Sequence, residues 1–180
     1  MLRAAKAVRR AVGRFRRDES GHSAVEFALV ALPFFMLMVG LAEVTLIGFA
    51  QTTLDHAVTE TARGIRTGEM QEVGATQGEV EGSLCDEMND LLPVECAGNL
   101  YLDVDSFPSF NDLENESPIS GGMLQTGDFG YDPGGSSSIV VVRAYYRWHI
   151  ITPLFDGVFA NAADGERILV STMMFRNEPF

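Results

Sequence analysis

An α+β domain carried on one long N-terminal helix is the architecture this sequence predicts, and three observations predict it. Residues 27–50 form an apolar run with a single charge, Glu43. An amphipathic pattern continues that run to about residue 67. The two strongest strand patterns, "SIVVVRAYYRWHII" and "RILVSTMMF", come late in the chain. Strands gathered after helices favour a small antiparallel sheet over alternating βαβ units.

"FALVALPFFMLMVGLA" lacks the polar stripe of a surface helix on a globular protein. At 1.5 Å per residue, roughly 20 such residues cross the hydrocarbon core of a bilayer. Pro33 lies inside it and removes one backbone hydrogen bond, which predicts a bend or a local loosening. Gly40 and Gly48 suit close approach of a neighbouring helix without forming a GxxxG pair.

Charge supplies the orientation. Seven of the 13 basic residues precede the run: Arg3, Lys6, Arg9, Arg10, Arg14, Arg16 and Arg17. From His22 onward, six basic residues face 23 acids within a chain of formal charge −12. Positive residues flanking a spanning helix stay on the cytoplasmic side, so the acidic body belongs outside it. A single membrane crossing is therefore predicted, with an extracytoplasmic C-terminal domain. Such an acidic body is unsuited to a phosphate backbone, and no nucleic-acid partner is expected.

Beyond the membrane run, Ile47, Ala50, Leu54, Ala57, Val58, Thr61, Ala62 and Ile65 recur at helical spacing, with polar residues between them. One helix over about residues 23–67 follows, apolar in its first half and amphipathic in its second. Gly64 weakens its last turn and Gly68 stops it. The predicted division is a basic leader over 1–21, this helix over 22–67, and an extracytoplasmic α+β domain over 68–180.

Within that domain a loop leads to a short helix near residues 80–92, and "LYLDVD" alternates as a strand over 100–105. The next stretch is rich in Pro, Gly, Ser and Asn and reads as a long surface excursion. Cys85 and Cys96 both lie in the extracytoplasmic part, where a pair within one domain is a candidate disulfide, with two free buried thiols as the alternative. The bridge would close a short loop around "DEMNDLLPVE".

No sequence pattern supplies a catalytic centre. There is no GxxxxGK[ST] phosphate loop, no HExxH and no G-x-S-x-G elbow. His22, His56 and His149 have no zinc-ligand spacing, and "GGSSS" reads as flexible loop. Asp103, Asp105, Asp112, Glu114, Glu116, Asp128 and Asp132 are oxygen donors of the kind calcium takes, but the D-x-[DN]-x-[DN]-G pattern is missing. These acids read as solvated surface. Neither enzyme activity, metal nor cofactor is expected.

The N-terminal organisation departs from a secretory signal, because the apolar run is too long and no A-x-A follows it. The unusual polar features come before it instead, as "SG" followed by "HSAVE". A cut after Gly21 would release the basic leader, leave His22 as the new N-terminus and make Glu26 the fifth residue. Glycine, four residues, then glutamate ahead of a hydrophobic helix resembles the prepilin-peptidase signature of type IV pilins and pseudopilins. More narrowly, "SAVEFALVALPFF", "GLAEV", "LDHAVTETARGIRTG" and the terminal "FRNEPF" resemble the TadE/TadG-like family of the Tad (Flp) pilus system.

That resemblance implies a minor pseudopilin or pilus-assembly component, matured by a prepilin peptidase. Other Tad pilins or pseudopilins and the inner-membrane assembly platform would be its partners. It implies that Gly21 ends the leader, that Glu26 is the pilin glutamate, and that Glu43 is the acid near the end of the apolar segment. Glu43 is read as an interfacial residue marking the membrane exit. The alternative is an uncleaved single-pass anchor presenting a periplasmic binding module.

Overall fold

A computed structural model describes residues 21–112 and 117–180, apart from the side chain of Asp164. The predicted leader before Gly21, and the acids Glu114 and Glu116, lie outside the described residues. The fold is α+β: a long N-terminal helix followed by a small antiparallel sheet.

Helix α1 runs over His22–Arg66 and continues through Pro33. By compactness the chain divides within this helix, into Met1–Leu41 and Ala42–Phe180. In the first unit, the described helical residues are exposed, apart from the partly covered Ala31 and Gly40. Val25, Phe27, Leu29, Val30, Leu32 and Leu37 all stand free. A surface of that kind suits a hydrocarbon surrounding. Among the described residues, α1 is the one helix long and apolar enough to cross a membrane.

In the second unit, α1 has two faces. Ile47, Ala50, Leu54, Ala57, Val58, Ala62 and Ile65 are buried, while Thr52, Asp55, His56, Thr59, Arg63 and Arg66 are exposed. The outward face changes character near Gln51: Val44, Leu46 and Phe49 are apolar, and the residues after them are polar. Predicted spacing and buried face thus agree. The freely exposed apolar segment is nevertheless shorter than residues 27–50, because Glu43, Ile47 and Ala50 already belong to the packed unit.

Helix α1 gives way to a four-residue helix α2, Glu69–Glu72, and to α3, Gln77–Leu91. Helix α3 begins three residues earlier than its apolar pattern indicates, because Thr76 and Glu79 form a capping pair. Thr76 donates both its N–H and its Oγ1–H to Glu79 Oε2, each at 2.8 Å. This satisfies a donor at the helix start. Val80, Leu84 and Met88 form its buried stripe.

Strand β1 is Leu100–Phe107, β2 is Ile119–Ser120, β3 is Met123–Leu124, β4 is Ile139–His149 and β5 is Glu166–Arg176. A short helix α4, Asp156–Phe159, lies between β4 and β5. Strands β1, β4 and β5 form one antiparallel sheet in that order, while β2 and β3 make a separate hairpin. Leu102 pairs with Ala144, Val104 with Val142, and Tyr146 with Leu169. These residues share a core with the buried faces of α1 and α3. Each large apolar side chain fully buried there, such as Leu54, Ile65 or Leu84, contributes about 1.5–3 kcal/mol.

The excursion between β1 and β4 is more integrated than its composition predicts. Val104 donates its N–H to Gly130 O at 2.9 Å, and Asp132 N donates to Val104 O at 2.8 Å. Its Phe129 ring stacks on Tyr145 at 5.1 Å. Edge hydrogen bonds and a ring contact therefore tie this segment to the sheet, a pairing that Pro and Gly content conceals.

Candidate processing and assembly site

Gly21 immediately precedes α1 and is exposed, and no described atom lies within 4 Å of a Cβ built there. His22 is the first helical residue, and Glu26 follows one turn later. Helical side chains tilt toward the N-terminus, so the Glu26 carboxylate reaches back along the helix. Its Oε1 lies 3.1 Å from His22 Nε2, with both side chains exposed. The structure thus brings Gly21, His22 and Glu26 together at the first turn of α1. The carboxylate stands one turn from the peptide unit that a cut after Gly21 would turn into an amine.

Glu43 does something else. It is 3% exposed, and its Oε1 accepts the backbone N–H of Ile151 at 3.0 Å. Read from sequence as an interfacial residue rather than a partner-seeking charge, Glu43 thus has a partner within the chain. Residues 43, 47, 50 and 54 lie on one helical stripe, so the helix geometry that buries Ile47 turns Glu43 inward too. A buried carboxylate needs a donor, and the chain that follows β4 supplies one.

Cys85, in α3, and Cys96 are joined by a disulfide with Cα atoms 6.0 Å apart. Asn89 Oδ1 accepts Val94 N at 2.8 Å inside the loop that it closes. Three of the acids considered for calcium, Asp103, Asp105 and Asp132, are engaged by protein donors. Arg143 Nη1 lies 3.2 Å from Asp103 Oδ2 and 2.9 Å from Asp105 Oδ2. Burial pushes the Asp105 carboxyl above its ordinary range, with the Asp103 charge adding to the rise and Arg143 opposing it. Asp132 accepts from Ser106 Oγ at 2.6 Å and from Gly134 N at 3.1 Å. Among the described residues, no group of three or more His, Cys, Asp or Glu side chains is arranged to hold a metal ion.

The terminal "FRNEPF" is the part whose work sequence reasoning missed. Arg176 Nε donates to Ser137 O at 2.9 Å. Buried Asn177 uses Nδ2 to bind Pro133 O at 2.9 Å and Gly135 O at 3.0 Å. Glu178 N donates to Arg66 O at 2.9 Å, capping a carbonyl left open by the end of α1. Phe180 packs against Gly68, whose φ of +85° is the left-handed conformation of a helix stop. A Cβ there would meet the Phe180 ring at 2.5 Å. The available signal was the density of polar residues in a tail that follows a strong strand.

Residues 21–63 match the family model described as TadE-like protein. The match covers Gly21, His22, Glu26 and Glu43, and it stops inside the last turn of α1. Neither a curated protein nor a solved structure matches the chain.

Proposed function

We propose, from the TadE-like character of residues 21–63, that this chain is a non-enzymatic, membrane-anchored component of the Tad (Flp) pilus system. Its leader, residues 1–21, would face the cytoplasm and be removed after Gly21 by a prepilin peptidase. The first part of residues 22–67 would cross the inner membrane, and residues 68–180 would form the periplasmic domain. It would then act as a minor pseudopilin in pilus biogenesis and adherence, packing its helix against other Tad pilins, pseudopilins or the assembly platform.

The observation that carries this reading is the order of Gly21, Glu26 and a helix that is apolar on all sides over residues 27–41. An ionised carboxylate within a membrane costs about 2.5–3.5 kcal/mol at mid-helix, so Glu26 needs a partner when it leaves the headgroup layer. The α-amino group of His22, created by cleavage, is such a partner, on its own chain or on a neighbour. Pairing offsets desolvation, and the pairing exists only after processing.

The test is pilus assembly in cells whose own copy is replaced by Gly21→Arg or Glu26→Leu. Loss of surface pili with normal membrane levels of each variant is the expected result. Undiminished piliation with both variants would overturn the reading and favour an uncleaved anchor.

A further inference from the structure

We propose that the connection between β4 and β5 is a second membrane-contact element, entering the outer lipid interface beside α1. The inference rests on the reading of α1 as a membrane anchor. The connection folds as a turn at Pro153–Phe155 followed by α4. Its exposed residues through α4 are Ile151, Pro153, Leu154, Gly157 and Val158, all without a polar side chain. Ile151 is 63% exposed, Leu154 62% and Val158 72%. In water these three would be poor company for a body so rich in acid.

Depth is fixed by the hydrogen bond from Ile151 N to Glu43. The outward apolar residues of α1 extend as far as Phe49. From Phe27 to Phe49 the helix rises about 33 Å, close to the hydrocarbon thickness of a bilayer, and Glu43 lies about 9 Å short of Phe49. The connection is thus attached to α1 below the level at which the helix's outward face turns polar. Lipid, rather than water, is what borders the helix there.

The protrusion is also held in shape. Phe155 N donates to Thr152 O at 2.9 Å, and Arg167 Nη1 holds Phe159 O at 2.9 Å. The Phe155 and Phe159 rings, both half-buried, lie 5.4 Å apart. Asp156, the one ionisable residue in 150–161, is half-buried with its carboxylate turned against Gly165. An aliphatic surface without exposed charge, Trp or Tyr suits acyl chains better than a specific protein partner, whose anchors are commonly aromatic or arginine.

The full-length chain in nanodiscs made with brominated phosphatidylcholine tests this by tryptophan quenching. Trp148→Phe supplies the background, since the buried Trp148 Nε1 has no hydrogen-bond partner to lose. If that replacement unfolds the chain, the parent Trp148 signal is subtracted instead. Single reporters are Leu154→Trp, Leu37→Trp in the membrane segment, and Val73→Trp, which is 73% exposed and follows the far end of α1. The inference predicts an emission loss for Leu154→Trp approaching that of Leu37→Trp, with Val73→Trp unaffected. Quenching of Leu37→Trp alone would overturn the inference and leave the membrane anchor standing, with a protein as the cover for this surface. No quenching of Leu37→Trp would remove the anchor and the inference together.

Discussion

Residues 22–41 and residues 42–66 belong to one helix, yet each half is shaped for a different surrounding. From Phe27 on, the first half shows apolar side chains on every side, and none of them is buried within the chain. The second half turns Leu54, Val58 and Ile65 into a protein core and sets Asp55, His56 and Arg63 outward. Hydrogen bonding along the backbone is common to both and does not distinguish them. What differs is where the side chains leave water, and that difference assigns one half to anchoring and the other to folding.

Substitutions in the two halves should therefore separate cleanly. Leu54→Ala is expected to destabilise the unit formed by Ala42–Phe180 by about 2–5 kcal/mol, by loss of transfer energy and opening of a cavity. Leu37→Ala should leave that stability unchanged. Denaturant unfolding of the full chain in micelles, followed by near-UV circular dichroism, compares them. Equal losses in both variants would erase the distinction.

The next largest effect concerns the folded unit alone. Replacing both cysteines by serine frees a loop with a sequence separation of 11. Chain entropy predicts a loss of about 2–3 kcal/mol, read as a lower unfolding midpoint under oxidising conditions and as little change under reducing ones.

At the end of α1, Gly68→Ala should cost about 1–3 kcal/mol, because it combines a left-handed backbone with the Phe180 ring. Phe180→Ala in the same chain should remove the steric part and leave the backbone part. A double-mutant cycle in which the two losses simply add would contradict the clamp.

The smallest effect is one of pH. The Thr76 backbone N–H, and then its hydroxyl, hold the Glu79 carboxyl below its ordinary range. The folded state thus favours the ionised form. The stability this adds is complete above the unfolded value near 4.5 and is lost as pH falls through the depressed folded value. Glu79→Gln should flatten that part of the acid limb, measured as the unfolding midpoint against pH.

Much of this organisation was legible in the residues, because periodicity reports what a helix buries. The spacing that begins at Ile47 predicts the buried face of α1, and the β-branched runs predict β4 and β5. Glu43 lies four residues before Ile47 on the same stripe, so its inward position was available too. Its charge drew the reading toward the interface, and the donor that stabilises it comes from Ile151, more than 100 residues away. Residues Asn177 and Glu178 illustrate the same limit. Their partners are backbone carbonyls of distant segments, and nothing in local composition announces such pairings. The cap at Thr76 and Glu79, by contrast, obeys a short-range spacing and could be read directly.

The decisive observation on the central claim is the intact mass and N-terminal sequence of the protein purified from membranes of cells with an active prepilin peptidase. A chain lacking residues 1–21 and beginning at His22 is expected, with the full-length form accumulating when Gly21 is replaced. An intact chain from Met1 to Phe180 in those cells would contradict that claim.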